Sequence, residues 1–425
     1  MQESLPGHDP RRSEFREYIF GLPIVDVHEH HIPAIFLNPD VGILDLIRQS
    51  YVSWTQTYGG GAMMGPGDWT ELAGFLEKSG SNAFVRNLLR GICDIYDVGA
   101  EGITERNWRE IDARIRARHR DPFWVSTLMK GAGVMQIITD VYPDPVLDVR
   151  PALGEKYRSV FRMNAFALGW HPRSCDHNGN CAADLARKLG LKLDSFEDIQ
   201  PAIQQIVATL AARGQVGVKN ALAYDCDLTF DPPNPGLARR AWGNPDPEPL
   251  ERKGFIDFVV DAFCVAAGDY NIPMQMHLGT ARLRGSHPLN VAGLIERHPR
   301  TRFLLMHLAY PWSSELLAMA FAYRNIWIDL SWSFLLSPSH FERAFAEAIE
   351  VLPDESRMML GGDNWHAEET CAAIGLGRRL IADVLEARIA KGYFREEDAR
   401  RLARKIFFEN AISFFGLRPF SESGK

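Results

Sequence analysis

The sequence predicts a single-domain (β/α)₈ barrel, and two observations support this fold class. Eight short apolar runs, bounded by Gly, Pro or Asp, recur along the 425 residues, and such runs fit strands that are buried on both faces of a parallel sheet. Stretches with helical period separate most of them, and strands that alternate with helices are typical of this barrel. The predicted strands are LPIVDVH (22–28), VMQIITD (134–140), RMNAFAL (162–168), VGVKNAL (216–222), IPMQMHL (272–278), RFLLMHL (302–308), NIWIDLS (325–331) and RMMLGGD (357–363).

The segments that connect the predicted strands contain the predicted helices and loops. Four of them read as helices, at 194–214, 254–270, 289–299 and 339–353. The long gap after the first strand contains several helical segments, which predicts a helical insertion at approximately 35–130 that caps the barrel mouth within one domain, 1–425. Residues 231–249 are rich in Pro and Gly without any period, so we expect a long loop there. Two or three helices should follow the last strand.

Composition narrows the class of protein. Hydrophobic residues make up 46% and charged residues 24%, as in a globular chain with a core. The net charge of −7 and the lack of a basic tract argue against nucleic-acid and membrane partners. The longest apolar stretches are far shorter than the roughly 20 residues that span a bilayer. We therefore expect a soluble, cytoplasmic protein that acts on a small molecule.

The six cysteines are scattered, and a disulfide framework is not expected in so large a chain. Cys175 and Cys181 form the tightest pair and flank His177 in SCDHNGNC. Their spacing matches no standard zinc pattern. We interpret the segment as a loop insertion rather than as a small metal clip.

Histidines lie at the end of the first predicted strand. In DVHEHH, His28 and His30 are two residues apart, so their side chains point the same way from an extended segment. Two imidazoles on one side suit a divalent metal. The carboxyl ends of the strands form the active face of a barrel. His28 and His30 are therefore predicted metal ligands, whereas Glu29 and His31 point away from them.

Polar residues at three later strand ends strengthen this prediction. His277 ends the fifth strand and His307 the sixth, 30 residues apart, which is about one βα repeat. Asp363 follows MMLGG at the end of the eighth strand. An isolated Asp at that position would be expected to cap a turn or a helix. Together with the histidines, it is predicted to bind metal and to act as general base for water.

These residues resemble the pattern of the amidohydrolase superfamily, which has His-x-His on strand 1, His on strands 5 and 6, and Asp on strand 8. Three stretches look like the amidohydrolase domain of the nodulin and glutamine-synthetase-fusion type: VKNALAY (218–224), residues 277–312, and GGDNWHAEE with the helices after it. Uronate isomerases are more distant members. The resemblance implies a distorted barrel with one or two divalent metals, zinc first and Mn or Fe as alternatives. It also suggests a homo-oligomer.

Lys219 decides the predicted metal count. It stands at the end of strand 4 in VGVK, where binuclear members of the superfamily carry a carboxylated lysine that bridges two metals. Lys219 could instead be a structural lysine whose stem lies along apolar surface. A third alternative is an uncarboxylated lysine that binds a substrate carboxylate or transfers protons after desolvation.

Further residues near the strand ends are candidates for substrate contact. Arginines there would suit a carboxylate, because a guanidinium pairs with planar oxyanions through two parallel hydrogen bonds. Trp170, Arg173, Arg284 and Glu368 are weaker candidates. The predicted substrate-binding residues are Tyr224, Arg282, His171, Trp365 and His366.

The leading hypothesis is a metal-dependent hydrolase of an amide, ester or lactone bond in a small, carboxylate-bearing molecule. Here His28, His30, His277 and Asp363 bind the metal, Asp363 transfers the proton of water, and His307 polarises the carbonyl.

The first alternative is an isomerase of the uronate isomerase kind, or a decarboxylase, that uses the same metal site. Either would need an additional base, for which His171, His366 and Tyr224 are available. The second alternative is a binding module without catalysis. The ligand-type residues at the strand ends argue against it.

Overall fold

The computed structural model describes residues 10–53 and 69–418. Eight parallel strands form one sheet in the order β1 to β8, a nearly closed barrel, so the predicted fold class is confirmed. The strands are β1 (Ile24–Glu29), β2 (Val134–Thr139), β3 (Tyr157–Arg162), β4 (Gln215–Asn220), β5 (Met274–Met276), β6 (Phe303–Leu305), β7 (Ile326–Asp329) and β8 (Met358–Met359).

Helices precede, separate and follow the strands. The α-helices are α1 (Pro10–Gly21), α2 (Pro33–Phe36), α3 (Ile43–Arg48), α4 (Trp69–Ser79), α5 (Ala83–Ile95), α6 (Trp108–His119), α7 (Trp124–Gly131), α8 (Arg150–Leu153), α9 (Asn164–Ala167), α10 (Ala182–Lys188), α11 (Ile199–Ala208), α12 (Pro235–Ala241), α13 (Pro249–Asp269), α14 (Ala292–Arg297), α15 (Ser313–Ala322), α16 (Ser333–Leu336), α17 (Pro338–Val351), α18 (Ala367–Ala390), α19 (Glu396–Arg404) and α20 (Asn410–Phe415). Short 3₁₀ turns lie at Phe196–Asp198, Leu210–Arg213, Leu222–Tyr224, Pro288–Val291, His307–Ala309 and Glu355–Arg357, and a π-helical turn at Lys405–Glu409.

Strand register brings the carboxyl ends of neighbouring strands to one level. Asn220 of β4 pairs with Met276 of β5, which pairs with Leu305 of β6. The residues that follow these strands therefore start from the same edge. His277 continues the ladder, because its backbone N–H donates to the Asn220 carbonyl at 2.9 Å.

The chain divides into two compact units. Among the described residues, the first contains 10–53, 69–135, 332–346 and 360–408. Within it, β1 bonds to the segment that follows β8, through the Val27 N–H and the Leu360 carbonyl at 3.2 Å. The inserted helices α3 to α7 share a hydrophobic core that includes Ile43, Ile92 and Ile111. This agrees with the helices predicted between the first two strands, whereas the assignment of 1–425 to one domain stays a prediction.

The second unit contains residues 136–331, 347–359 and 409–418 of the described part of the chain. It carries β3 to β8. Aromatic rings support β3 from the helix side, since Phe161 lies 6.0 Å from Phe166 and 6.1 Å from Phe263 of α13, measured between ring centroids.

Three details correct the sequence predictions. The third strand is Tyr157–Arg162, and the apolar run 162–168 forms helix α9 instead. The predicted loop 231–249 contains the helix α12, which begins at Pro235 after an Asn234 N-cap. No disulfide was expected, but Cys175 and Cys181 form one, which closes the predicted loop insertion. Within residues 10–53 and 69–418, no helix is long and apolar enough to cross a membrane.

Candidate metal centre

Strand β1 presents two buried imidazoles. All six of its residues are buried, and the alternation of an extended chain places His28 and His30 on the same side. Their ring centroids lie 5.0 Å apart in an edge-on arrangement. The structure therefore brings the two predicted histidines together, and their role as metal ligands stays a prediction.

Asp363 is brought to this pair by a backbone bond and a left-handed conformation. Its N–H donates to the His28 carbonyl at 2.7 Å, and its φ of 72° turns the chain sharply after β8. Aspartate is one of the few residues besides glycine that adopts this region readily. The Asp363 Oδ1 atom then lies 3.1 Å from His30 Nε2 and 3.7 Å from His28 Nε2.

Asp26 and Gly362 fix the approach of the two segments. The Asp26 carboxylate accepts hydrogen bonds from the N–H groups of His28 and Gly362, both at 3.1 Å. Gly362 is required by close packing, because a Cβ atom there would overlap the Glu29 carboxylate and the Asn364 amide. A side chain at position 362 would push Asp363 away from the histidines.

These three residues fit a divalent transition metal. One ligand atom from each of His28, His30 and Asp363 lies within 4.8 Å of the others, and all three residues are buried. Two imidazole nitrogens and one carboxylate oxygen are the donor set that Zn²⁺, Mn²⁺ and Fe²⁺ accept.

Tyr51 is a site residue that the sequence analysis missed. It lies just after α3, and its hydroxyl donates to Asp363 Oδ1 at 2.9 Å. Its ring packs against Trp365 and Trp332, with centroids 4.6 and 5.2 Å away. Trp365, a predicted substrate residue, also stacks on His30 at 5.3 Å. The helical insertion thus contributes directly to the metal-ligand group.

Replacing Tyr51 by phenylalanine should weaken metal binding and catalysis by about 10- to 100-fold, because a ligating carboxylate loses the partner that orients it. The ring stays packed, so the fold should persist. Competition titration with a zinc chelator measures the affinity. Tyr393→Phe is a matched control, since Tyr393 is an exposed tyrosine. Equal zinc affinity in Tyr51→Phe and wild type would show that the hydroxyl does not support the site.

A second layer of polar groups lies behind the ligands. Glu29 accepts hydrogen bonds from the backbone and the side chain of Asn364. Burial, and then the neighbouring Asp26 carboxylate, raise the pKa of Glu29 well above its usual range. His31 Nε2 lies 2.9 Å from the Thr370 hydroxyl. Glu29 thus holds the backbone just after Asp363, whereas His31 contacts helix α18.

Two buried titratable side chains lie at the start of α18. His366 Nε2 bonds to Gln49 at 3.0 Å, and burial lowers the pKa of this histidine to about 4. Burial raises the pKa of Glu369 to about 8, although its carboxylate caps the N–H groups of Trp365 and His366 at 3.2 Å. His366 is therefore a neutral, hydrogen-bonded residue in this environment, and its substrate role stays a prediction.

The predicted histidines of β5 and β6 meet in the second unit. His277 Nδ1 lies 3.1 Å from His307 Nε2, and His277 Nε2 lies 3.4 Å from the Thr280 carbonyl. Binding a metal through His277 would require one of these contacts to be given up. His307 has a φ of 62° and directs Nδ1 to the Ser331 hydroxyl at 3.1 Å, which itself bonds to Asp329.

Lys219 is buried within β4, and its Nζ atom contacts the Met306 sulfur. This placement satisfies the requirement that the lysine lie near the end of strand 4. The carboxylated, structural and substrate-binding interpretations all stay predictions.

The other predicted substrate residues lie apart from one another. Tyr224 stacks 4.6 Å from His277. Arg282 is exposed and donates to the Asp225 carbonyl. His171 is half-buried and accepts from the Arg173 N–H at 3.1 Å. It lies on the loop after α9 rather than at the end of β3, so its predicted location was wrong.

Histidines and an aspartate at the carboxyl ends of barrel strands define a metal-dependent enzyme. Residues 197–417 match the family model described as Amidohydrolase. The chain belongs to this family.

The chain is also similar to one fungal protein and to several solved structures. Over 156 residues the chain is 29% identical to Protein fluG of Emericella nidulans, a match that covers 35% of this chain and 18% of that protein. Glucuronate isomerase from Caulobacter crescentus is similar over 100% of this chain and 98% of its own, with a TM-score of 0.78 and 16% identity. Uronate isomerase from Thermotoga maritima has a TM-score of 0.77 and 15% identity, and the match covers 97% of this chain and 100% of that one. A protein of Lactobacillus casei that is provisionally named a metal-dependent hydrolase has a TM-score of 0.67 and 16% identity. This match covers 95% of this chain and 97% of that one. At these identities the solved structures share the fold.

Proposed function

We propose that the protein is a metal-dependent hydrolase that cleaves an amide, ester or lactone bond of a small, carboxylate-bearing molecule. The observation that carries the proposal is the buried group of His28, His30 and Asp363, in which one carboxylate oxygen faces both imidazoles. A divalent ion bound by these residues supplies Lewis acidity toward a water molecule or a substrate oxygen.

The protein's own groups would perform the proton transfers. Asp363 receives the hydrogen bond of Tyr51 at Oδ1, which keeps this oxygen an acceptor and holds the carboxylate in one orientation. Asp363 then accepts the proton of the attacking water and returns it to the leaving group. His307 polarises the substrate carbonyl, and Arg282 binds the substrate carboxylate.

A second candidate function is isomerisation of a uronate on the same site. It is supported by the similarity to two uronate isomerases along nearly the whole chain, with TM-scores of 0.77 and 0.78. In this reaction a proton moves between adjacent carbon atoms and no water is consumed.

The mass balance of the product separates the two functions. The protein, loaded in turn with Zn²⁺, Mn²⁺ or Fe²⁺, is incubated with N-acyl amino acids, carboxylate-bearing lactones and esters, and glucuronate. Hydrolysis adds the elements of water to the substrate, whereas isomerisation leaves its mass unchanged. Wild-type turnover in Asp363→Asn would overturn the proposed metal centre, and turnover of neither substrate class would overturn the proposed function.

The rest of the proposal concerns the metal, its count, the oligomeric state and the location of the protein. We propose zinc as the native metal, in a cytoplasmic homo-oligomer with a small-molecule substrate and neither nucleic acid nor membrane as partner. If Lys219 is carboxylated and bridges two ions, Lys219→Ala should reduce the metal content from about two equivalents to about one. A short carboxylic acid should partly restore it. Mass spectrometry of the metal content measures this, with the exposed Lys391→Ala as control. Unchanged stoichiometry would exclude a bridging role.

A further inference from the structure

The disulfide-closed loop Cys175–Cys181 holds a histidine against a carboxylate at the barrel mouth. His177 Nδ1 lies 2.9 Å from the Asp225 carboxylate, and the His177 backbone N–H donates to the same carboxylate at 3.0 Å. Within the loop, Asp176 accepts the N–H groups of Asn178 and Asn180, both at 2.9 Å. Asp225 therefore holds His177 through its backbone as well as its ring, while Asp176 fixes the loop residues that follow.

The buried residue Asn164 holds the Asp225 carboxylate in place. Its carboxylate accepts from the Asn164 amide at 2.7 Å, and the Asn164 oxygen accepts from the Ala221 N–H at 3.0 Å. Asn164 is fully buried. A carboxylate that is anchored in this way orients a histidine in the same manner as the third member of a catalytic triad.

The neighbours of the other ring nitrogen define the tautomer. Arg162 Nη1 lies 3.5 Å from His177 Nε2, and Asn178 Nδ2 lies 3.1 Å from it. A guanidinium only donates hydrogen bonds, so Nε2 is the acceptor. In the neutral ring the proton is then on Nδ1 and is donated to Asp225. Arg162 cannot move freely, because it forms a buried ion pair with Asp140.

The His177–Asp225 pair lies where catalytic groups of barrel enzymes lie, at the carboxyl ends of the strands. Arg162 is the last residue of β3, Asp140 follows β2, and Tyr224 and Asp225 follow β4, so the pair lies above three carboxyl strand ends. The His177 ring is 5.2 Å from Tyr224, whose ring is 4.6 Å from His277. The His177 side chain remains 31% exposed, so the imidazole is accessible to a small molecule.

We propose that His177, oriented by Asp225, is a proton-transfer residue of the reaction, accepting a substrate proton at Nε2. This rests on the proposed enzymatic function. The proton comes from a substrate O–H or C–H group and converts the imidazole into an imidazolium, while Nδ1 keeps its proton and Asp225 stabilises the charge. The same proton returns to the leaving group or to the adjacent carbon. Asn178 can turn its amide oxygen toward the new N–H.

The charged and titratable groups around His177 come from several elements. Opposite charges are interleaved, so the ring faces neither a purely acidic nor a purely basic surface. These groups are Asp140, Arg162, Asp176, Tyr224, Asp225 and Arg282.

The first measurement needs no substrate. Protein labelled with ¹⁵N-histidine is studied by NMR, and the signals of His177 are assigned by their loss in His177→Gln. We expect the Nδ1–H tautomer in wild type and a mixture of tautomers in Asp225→Ala. A proton on Nε2 in wild type would overturn the proposal. Because this result is obtained without turnover, a protein that acts on none of the substrates above refutes the proposed function and not the geometry of the pair.

The second measurement uses whichever substrate is turned over. His177→Gln should reduce kcat by about 10²-fold and change the pH profile of kcat/KM, because a general base is removed. Metal content should stay the same. His298→Gln is the matched control, because His298 pairs with Asp261 at 2.8 Å but precedes β6, at the amino ends of the strands. A wild-type pH profile in His177→Gln would overturn the proposal.

Discussion

Replacing Asp363 by asparagine should reduce kcat/KM by about 10³-fold or more, since it removes the carboxylate that both binds metal and accepts a proton. It should also lower the metal content of the purified protein. Asparagine tolerates the left-handed region as well as aspartate does, and φ at this position is 72°. The backbone bond to His28 can therefore remain, so the loss would come from chemistry. Steady-state kinetics and mass spectrometry of bound metal measure the two effects.

Asp97→Asn provides the matched control. Asp97 also has a positive φ, of 50°, and its side chain is exposed. The same chemical change at this position should leave metal content and kcat/KM at the wild-type level. Full metal occupancy with wild-type turnover in Asp363→Asn would exclude the proposed centre.

The carboxyl ends of most strands could be predicted from the sequence because they combine two local signals. An apolar run such as RFLLMHL is long enough for a buried strand and has one polar residue, His307, near its carboxyl end. Once several such ends are aligned by a parallel sheet, the polar residues lie at one edge. This reasoning placed His28, His30, His277 and His307 at or just after strand ends, whereas Asp363 lies in the segment after β8, which ends at Met359.

The third strand shows where that reasoning fails. RMNAFAL is as apolar as the true strands, yet Asn164–Ala167 forms a helical turn, and YRSVFR before it is the strand. Both segments are almost completely buried. Hydrophobicity alone cannot distinguish a buried strand from a buried helical turn of this length. The error displaced His171, which was expected at a strand end.

Long-range polar contacts could not be predicted from local patterns. Tyr51 and Asp363 are separated by 312 residues, and nothing around Tyr51 distinguishes its hydroxyl from that of any other tyrosine. His177 and Asp225 are 48 residues apart and lie on two irregular segments. For His177, the signal available was the pair of flanking cysteines, which only the structure joined into a disulfide.

Glu368 is the clearest example of a residue whose role depends on such contacts. It was a weak candidate for substrate contact, but its fully buried carboxylate binds the inserted helices to α18. Glu368 Oε1 accepts from the Tyr96 hydroxyl at 2.6 Å and from Trp124 Nε1 at 3.4 Å, and it pairs with His119 at 2.9 Å. Burial by itself would raise the pKa of Glu368, but the hydrogen bonds and charge of His119 and the Tyr96 hydroxyl lower it to about 2.

Replacing Glu368 by glutamine should therefore destabilise the protein by about 3 kcal/mol at pH 7, the free energy that corresponds to this pKa shift from the usual 4.5. Because the pKa in the folded state is lowered, the contribution is complete above pH 4.5 and is lost as the pH falls toward 2. The difference between wild type and Glu368→Gln should thus shrink to about 2 kcal/mol at pH 3.5. Urea unfolding at both pH values measures it.

Glu105→Gln is the control, because Glu105 is exposed in the same unit and should change stability by less than about 0.5 kcal/mol at either pH. A pH-independent loss in Glu368→Gln would mean that glutamine disturbs packing rather than removing a charge. No loss at pH 7 would mean that His119, Tyr96 and Trp124 do not stabilise an ionised carboxylate. If the expected loss is found, the inserted helices are attached to α18 by charge as well as by their apolar core. Tyr51, which follows α3 in the same insertion, then reaches Asp363 from a rigid support and not from a mobile cap.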